Sequence, residues 1–300
     1  MRGFARLLMC DVRYGVAAIS PRLVFVACIV AMAFFIAWVK VFIRLPEAAG
    51  DLSFGECMLL IWYGMMPYYP DNGDLFLFPM AWFCVLVAAA FTVADYPSRD
   101  LEGMGSTVVV VSGSRWAWWL SKCLWVVLMG LIVVGITMVF SLVVALVCQG
   151  SLSLAVRPGV ACVLEAGFNF EIQDASRLIQ EGEAAAVASA LPSLDIAPAI
   201  GVATLCLVAI LLMQTVLSVH LHPVLGIAAT IAVLFLSAYF FVPWLPGEYM
   251  LLARSGVLLD EGLNLDVGVL LGAGISVVAV VAGGLVFNRI DLVGKRGENR

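Results

Sequence analysis

Apolar residues run through this chain in six long blocks separated by polar stretches, and each block is long enough to make a membrane-crossing helix. A bilayer core takes about 20 mostly apolar residues. Blocks 23–43, 75–94, 123–148, 199–219, 224–242 and 267–287 meet that need. The first holds one charge, Lys40, near its end. Its thirteen Leu, Ile, Val and Phe residues contribute roughly −4 to −8 kcal/mol to insertion, against about 2.5–3.5 kcal/mol for a lysine even at the centre, and a terminal lysine can snorkel. The run is also longer than the h-region of a secretory signal, about 7–15 residues. Blocks 75–94 and 123–148 contain no Asp, Glu, Lys or Arg, nor does the whole stretch 196–247. That stretch is too long for one helix, and His220-Leu221-His222-Pro223 divides it, because Pro223 cannot continue a helix from upstream. The pattern predicts an all-α polytopic membrane protein of six spans in a single transmembrane domain, residues 1–300.

The connecting segments carry weaker patterns. Phe4, Leu8, Val12 and Val16 recur every four residues with Arg2, Arg6 and Arg13 on other faces, which predicts an interfacial amphipathic helix within 1–22 or a plain basic anchor; Ser20-Pro21 is expected to turn the chain into the membrane. Ser53 to Met66 is apolar but too short to span, and reads as interfacial or re-entrant. In 95–122, Ser98 is placed to cap a short helix with Asp100 and Glu102 in its first turn, and Gly103 and Gly105 to end it. Such a helix is a handle for a cytosolic partner; a plain solvated loop is the alternative. In the loop 149–198, Asp174 is placed to cap a helix from Ser176 to Leu191. Tyr249 to Leu259, interrupted by Arg254, reads as a half-inserted helix or a surface loop helix.

Composition agrees with the pattern. The chain is 63% hydrophobic and 12% charged, where soluble domains average roughly 45–50% apolar and about 25% charged. That is too little charge to cover a soluble globule and too much apolar surface for disorder. A net charge of −5 disfavours nucleic acid, which needs a basic face. Eleven Lys and Arg fall on the side of the N-terminus and five on the other, with six and fifteen acids respectively. The positive-inside bias puts both termini in the cytoplasm of a multi-pass cell-membrane protein. Trp38 and Trp244 near outer ends, and Trp116, Trp118 and Trp119 near an inner end, are placed as aromatic belts.

Enzymatic chemistry is hard to find. No P-loop, Gly-x-Gly-x-x-Gly or His-Glu-x-x-His pattern is present. His220 and His222 have no acid or cysteine at ligand spacing and are expected to be solvated at a tight turn. No catalytic constellation, cofactor or metal site is expected on this chain. The one ionisable residue inside a span is Lys40, which argues against a proton- or sodium-coupled transporter. Gln214 and the span hydroxyls read mainly as helix–helix glue. Gly268, Gly272, Ser276, Ala279 and Gly283 form a small-residue stripe, read first as packing within the chain and second as a subunit interface. Of eight cysteines, Cys28, Cys84, Cys123, Cys148 and Cys206 lie in or beside apolar runs. Cys57 and Cys162 fall in loops expected outside, and their pairing stays open.

Tyr96-Pro97-Ser98-Arg99-Asp100-Leu101-Glu102-Gly103, then Ser114-Arg115-Trp116-Ala117-Trp118-Trp119-Leu120-Ser121-Lys122, and the closing Phe287-Asn288-Arg289-Ile290-Asp291 carry a family resemblance. With six spans and both ends inside, the chain resembles the permease subunit of a type-2 ATP-binding-cassette (ABC) exporter. The likeness covers the whole chain in topology and residues 95–125 in sequence, through loose motifs. It implies a pair of permease chains, homo- or heterodimeric, each docking a cytosolic ATPase that carries ATP and Mg. It further implies a coupling helix in 96–112, with coupling residues Ser98, Arg99, Asp100, Leu101, Glu102, Gly103 and Arg115, braced by the N-terminal helix. A non-transporting membrane scaffold or sensor subunit is the competing expectation.

Overall fold

The computed structural model describes residues 7–44, 51–70, 76, 78–105, 109, 114–157, 193–259 and 261–289. The expected helix at 176–191, Cys162 and the basic tail fall outside these residues. The described chain is almost all helix: α1 (Val16–Arg44), α2 (Phe54–Trp62), α3 (Met80–Val93), α4 (Tyr96–Asp100), α5 (Arg115–Val147), α6 (Ala197–His220), α7 (Pro223–Tyr239) and α8 (Leu265–Arg289). A two-residue antiparallel ladder pairs Ala155–Val156 with Leu194–Asp195. Five helical stretches are long and apolar enough to cross a membrane: Leu7–Val39, Met80–Gly103, Arg115–Val147, Ala197–His220 and Leu265–Arg289. The fifth expected span, 224–242, is the shorter apolar helix α7 of 17 residues.

Several boundaries differ from the sequence reading, each for a local reason. The expected turn at Ser20-Pro21 is absent, because helix runs without a break from Leu7 into α1. Pro21 has no N–H for the Ala17 carbonyl, and the Ser20 hydroxyl donates to that carbonyl instead, at 2.9 Å. α3 starts at Met80 rather than 75, since Phe78 precedes Pro79 and is steered out of the helical region. α5 starts eight residues before 123, where Ser114 Oγ accepts the Ala117 N–H at 3.2 Å. Its far end closes through Gly150, where a Cβ would lie 1.8 Å from the Leu52 carbonyl oxygen; no other residue fits there. α7 stops at Tyr239, three residues short, because the carbonyls of Ser237, Ala238 and Phe240 are taken by Arg254.

The helices alternate in direction between two ends. At the near end lie Asp11, Arg22, residues 95–105, Trp118, Lys122, Ser218 and Phe287, linked by the contacts described below. At the far end, Trp82 Nε1 donates to the Met250 carbonyl at 2.9 Å, and Tyr249 lies against Gly268 and Val202. α2 is buried there from Gly55 to Trp62 against α5, with Trp62 Nε1 donating to Thr137 Oγ1 at 3.2 Å. It is a buried helix of 9 residues, too short to span, capped by a reciprocal Ser53–Glu56 box. Arg157 holds Glu56 at 2.7 Å. Tyr249–Leu259 is not a helix of either expected kind. Residues 248–254 form two buried 3-10 turns.

Polar residues in the helices act as glue. Gln214 donates to the Ala90 carbonyl at 2.8 Å and accepts from Thr230 Oγ1 at 2.9 Å, tying α6 to α3 and α7. The small-residue stripe packs inside the chain: a Cβ on Gly268, Gly272 or Gly283 would run into Val202, Leu205 or Val216 of α6. Of the two histidines, His222 is exposed as expected and His220 is half-buried. His220 Nε2 lies 3.1 Å from the Gly283 carbonyl beneath Trp119, and His222 Nδ1 accepts the Val224 N–H at the start of α7. Trp118 and Trp119 are buried against Phe287 rather than set in a belt. Trp244 at the far end is 73% exposed.

Candidate functional site

The sequence between α3 and α5 folds into a compact handle at the near end. Pro97 sits in the first turn of α4, where a missing N–H costs nothing. α4 therefore begins before Ser98. Ser98 is not a cap: its hydroxyl donates to the Ser218 carbonyl near the end of α6, at 3.0 Å. The chain continues as a π-helical turn, Leu101–Gly105, broken at Gly103 (φ −95°, ψ −126°). Gly105 folds back so closely that a Cβ would lie 2.4 Å from Asp100 Oδ2. Of the expected coupling residues, Arg99, Glu102 and Gly103 face outward, while Leu101 is half-buried. Arg115 donates to the Asn288 carbonyl at 2.8 Å, at the end of α8. Residues 106–108 and 110–112 of the 96–112 segment lie outside the described residues.

Both ends of the handle are pinned by charge. Asp95 receives a two-pronged contact from Arg22 of α1, at 2.5 and 2.9 Å, and a 2.8 Å contact from exposed Arg99. The planar guanidinium fork makes the Arg22 contact directional. Asp100 receives Lys122 Nζ at 2.8 Å and Trp118 Nε1 at 3.0 Å, both from α5. The Lys122 ammonium is 1% exposed and also pairs with Asp11 of the N-terminal helix. Tyr96 OH donates to Asp11 at 3.0 Å, as does the Ser121 hydroxyl. The Tyr96 and Trp118 rings lie 4.7 and 5.3 Å from the ammonium, within cation–π range. One cation thus serves two carboxylates in a dry setting, where losing either partner strands a charge.

Asp11 and Lys122 are site residues that the helical spacing hides. The expected buried stripe was Leu8, Val12 and Val16. The buried face instead runs through Asp11, Gly15 and Ile19, across a π-helical turn at Asp11–Gly15 that adds a residue to the register. One sequence signal does point there: Asp11 is the single acid before Glu47 in a basic, apolar segment. Lys122 reads as a boundary anchor only while the third span is taken to begin at 123.

Among the described residues, no group of three or more His, Cys, Asp or Glu could hold a metal ion. A family model described as "Protein of unknown function (DUF2705)" matches residues 70–293, a range that includes the handle, Lys122 and the 248–254 turns. No curated protein and no solved structure matches the chain.

Proposed function

This chain belongs to the DUF2705 family, and we propose that it is the membrane-embedded permease subunit of a type-2 ABC exporter, driven by a separate ATPase. The observation that carries the reading is the handle itself. A short helix and the turn after it present Arg99 and Glu102 outward, while salt bridges at its two ends fix it to α1 and to α5 and Tyr96 ties it to Asp11 at the head of the helix that runs into α1. A push on its exposed face is delivered to those elements together, because the charge pairs and packed side chains leave little room for local give. In this reading the near end is cytoplasmic, α7 is the sixth crossing, two such chains form the path, and ATP with Mg binds the partner ATPase.

Purification of the tagged chain from its native membrane tests the reading. The expected result is copurification of a P-loop ATPase whose hydrolysis depends on the permease. Arg99→Glu with Glu102→Arg, both at exposed positions, is expected to keep insertion and monodispersity and to lose most of the ATPase. Asp100 is unsuitable for such a reversal because it sits in the buried network. Recovery of the chain with no ATPase from native membranes would favour the scaffold or sensor reading instead.

A further inference from the structure

The segment 247–254 at the far end is buried at every residue. It is fastened on three sides. Trp82 of α3 donates to the Met250 carbonyl, Ala253 N–H donates to the Tyr63 carbonyl at 3.0 Å, and Arg254 reaches α7. The Arg254 guanidinium is 0% exposed and finds five carbonyls: Met65 at 3.1 Å through Nε, Ser237 at 2.7 Å and Phe240 at 3.0 Å through Nη1, and Ala238 at 2.8 Å and Met66 at 3.3 Å through Nη2. Three of these belong to the closing turn of α7, the negative end of the helix dipole. Backbone carbonyls thus surround the cation, and Glu248 is its one carboxylate partner among the described residues.

Glu248 is the opposite case. Its side chain is also 0% exposed, and its one side-chain partner is Arg254 Nη1, on Oε2 at 2.7 Å, with the Val242 N–H acting on the same carboxyl. Oε1 is buried and makes no hydrogen bond. The neighbouring Gly247 lies against Ser237 Oγ, a second buried polar atom without a partner. A carboxylate stripped of water with one oxygen unserved is costly as an anion, and less so as a neutral acid.

We propose that Glu248 is a proton-binding site: its carboxylate takes a proton from the aqueous phase to form the carboxylic acid, and Arg254 remains in its carbonyl cage as the single cation of the segment. Empty, the segment is neutral; occupied, it carries one positive charge and the ion pair to Arg254 is gone. Burial pushes the Glu248 carboxyl up to about 7, and outweighs the opposing pull of Arg254 and of the Val242 N–H. The charged side chain against Glu248 among the described residues is Arg254. Tyr249 stands beside it, with its phenol held above its usual range by burial. Cys206 of α6 faces Tyr249, and Tyr69 faces Arg254. The site is independent of the exporter reading, since it needs no partner and lies at the other end of the bundle.

Infrared difference spectra of the purified chain in nanodiscs, titrated from pH 3.5 to 8.5, test it directly. The expected result is a protonated-carboxyl stretch lost with a midpoint near pH 7 in the wild type and missing in Glu248→Gln. Identical spectra for the two proteins, or a wild-type midpoint at the ordinary glutamate value of 4.5, would overturn it. If Glu248→Gln fails to fold, wild-type protein labelled at the glutamate carboxyl carbons answers the question by NMR. One carbon titrating near pH 7 supports the site, and none doing so rules it out.

Discussion

At the scale of single residues, Lys122 and Arg254, both buried, are held in different ways. Lys122 depends on side chains, namely two carboxylates and two aromatic rings. Lys122→Met leaves Asp11 and Asp100 facing each other in a dry site, and is expected to cost about 3–5 kcal/mol in unfolding from mild detergent. Adding Asp100→Asn to Lys122→Met is expected to recover part of that loss, because the two sites are coupled. Arg254 depends on backbone, so Glu248 can be neutralised without stranding it. The pH dependence follows from the raised carboxyl. Its folded value of about 7 lies above the ordinary 4.5, so the favourable neutral state is fully present below pH 4.5 and lost as pH rises through 7. The wild type is expected to lose about 3 kcal/mol relative to Glu248→Gln between those limits, an upper bound read from paired denaturation curves.

At the scale of elements, close approach and open space are sharply divided along α8. A Cβ on Gly283 would lie 2.4 Å from Trp119 and 2.9 Å from Val216, whereas one on Gly274 meets nothing within 4 Å. Gly283→Ala is expected to loosen α8 from α5 and α6 and lower the melting temperature. Gly274→Ala is expected to raise stability by about 0.5–1 kcal/mol, the helical cost of glycine relative to alanine. The same division explains how much of the fold was legible. A boundary decided by one residue and its neighbours, such as the Pro223 break, could be read directly. The early start of α5 at Ser114 was equally local, but was obscured by the three tryptophans that follow. The end of α7 could not be read, because a residue fourteen positions away takes its carbonyls. Nor could the burial of Asp11, because its partner is Lys122 and a π-helical turn shifts the face. The exposed part of the handle, Arg99 to Gly103, was legible as a charged, glycine-ended stretch. The clamps to the first helix were not, since Arg22–Asp95 and Tyr96–Asp11 pair side chains more than 70 positions apart.

For the whole molecule, the alternation of helices gives two faces with distinct chemistry, and the sidedness can be measured. In a background lacking the native cysteines, Arg99→Cys is expected to react with a membrane-impermeant maleimide only from the cytoplasmic side. Trp244→Cys is expected to react only from the opposite side. Labelling of both positions from one side would exclude a spanning arrangement for this bundle. Short α7 also bears on the surrounding lipid. Its 17 residues reach about 25 Å, less than a hydrocarbon core of about 30 Å, while Val224, Leu225, Phe235 and Leu236 lie on its exposed side. The bilayer is therefore expected to pinch beside this helix, and the protein to be more stable among short acyl chains than long ones. Hydrophobic mismatch would then make membrane thickness a setting to which this chain responds.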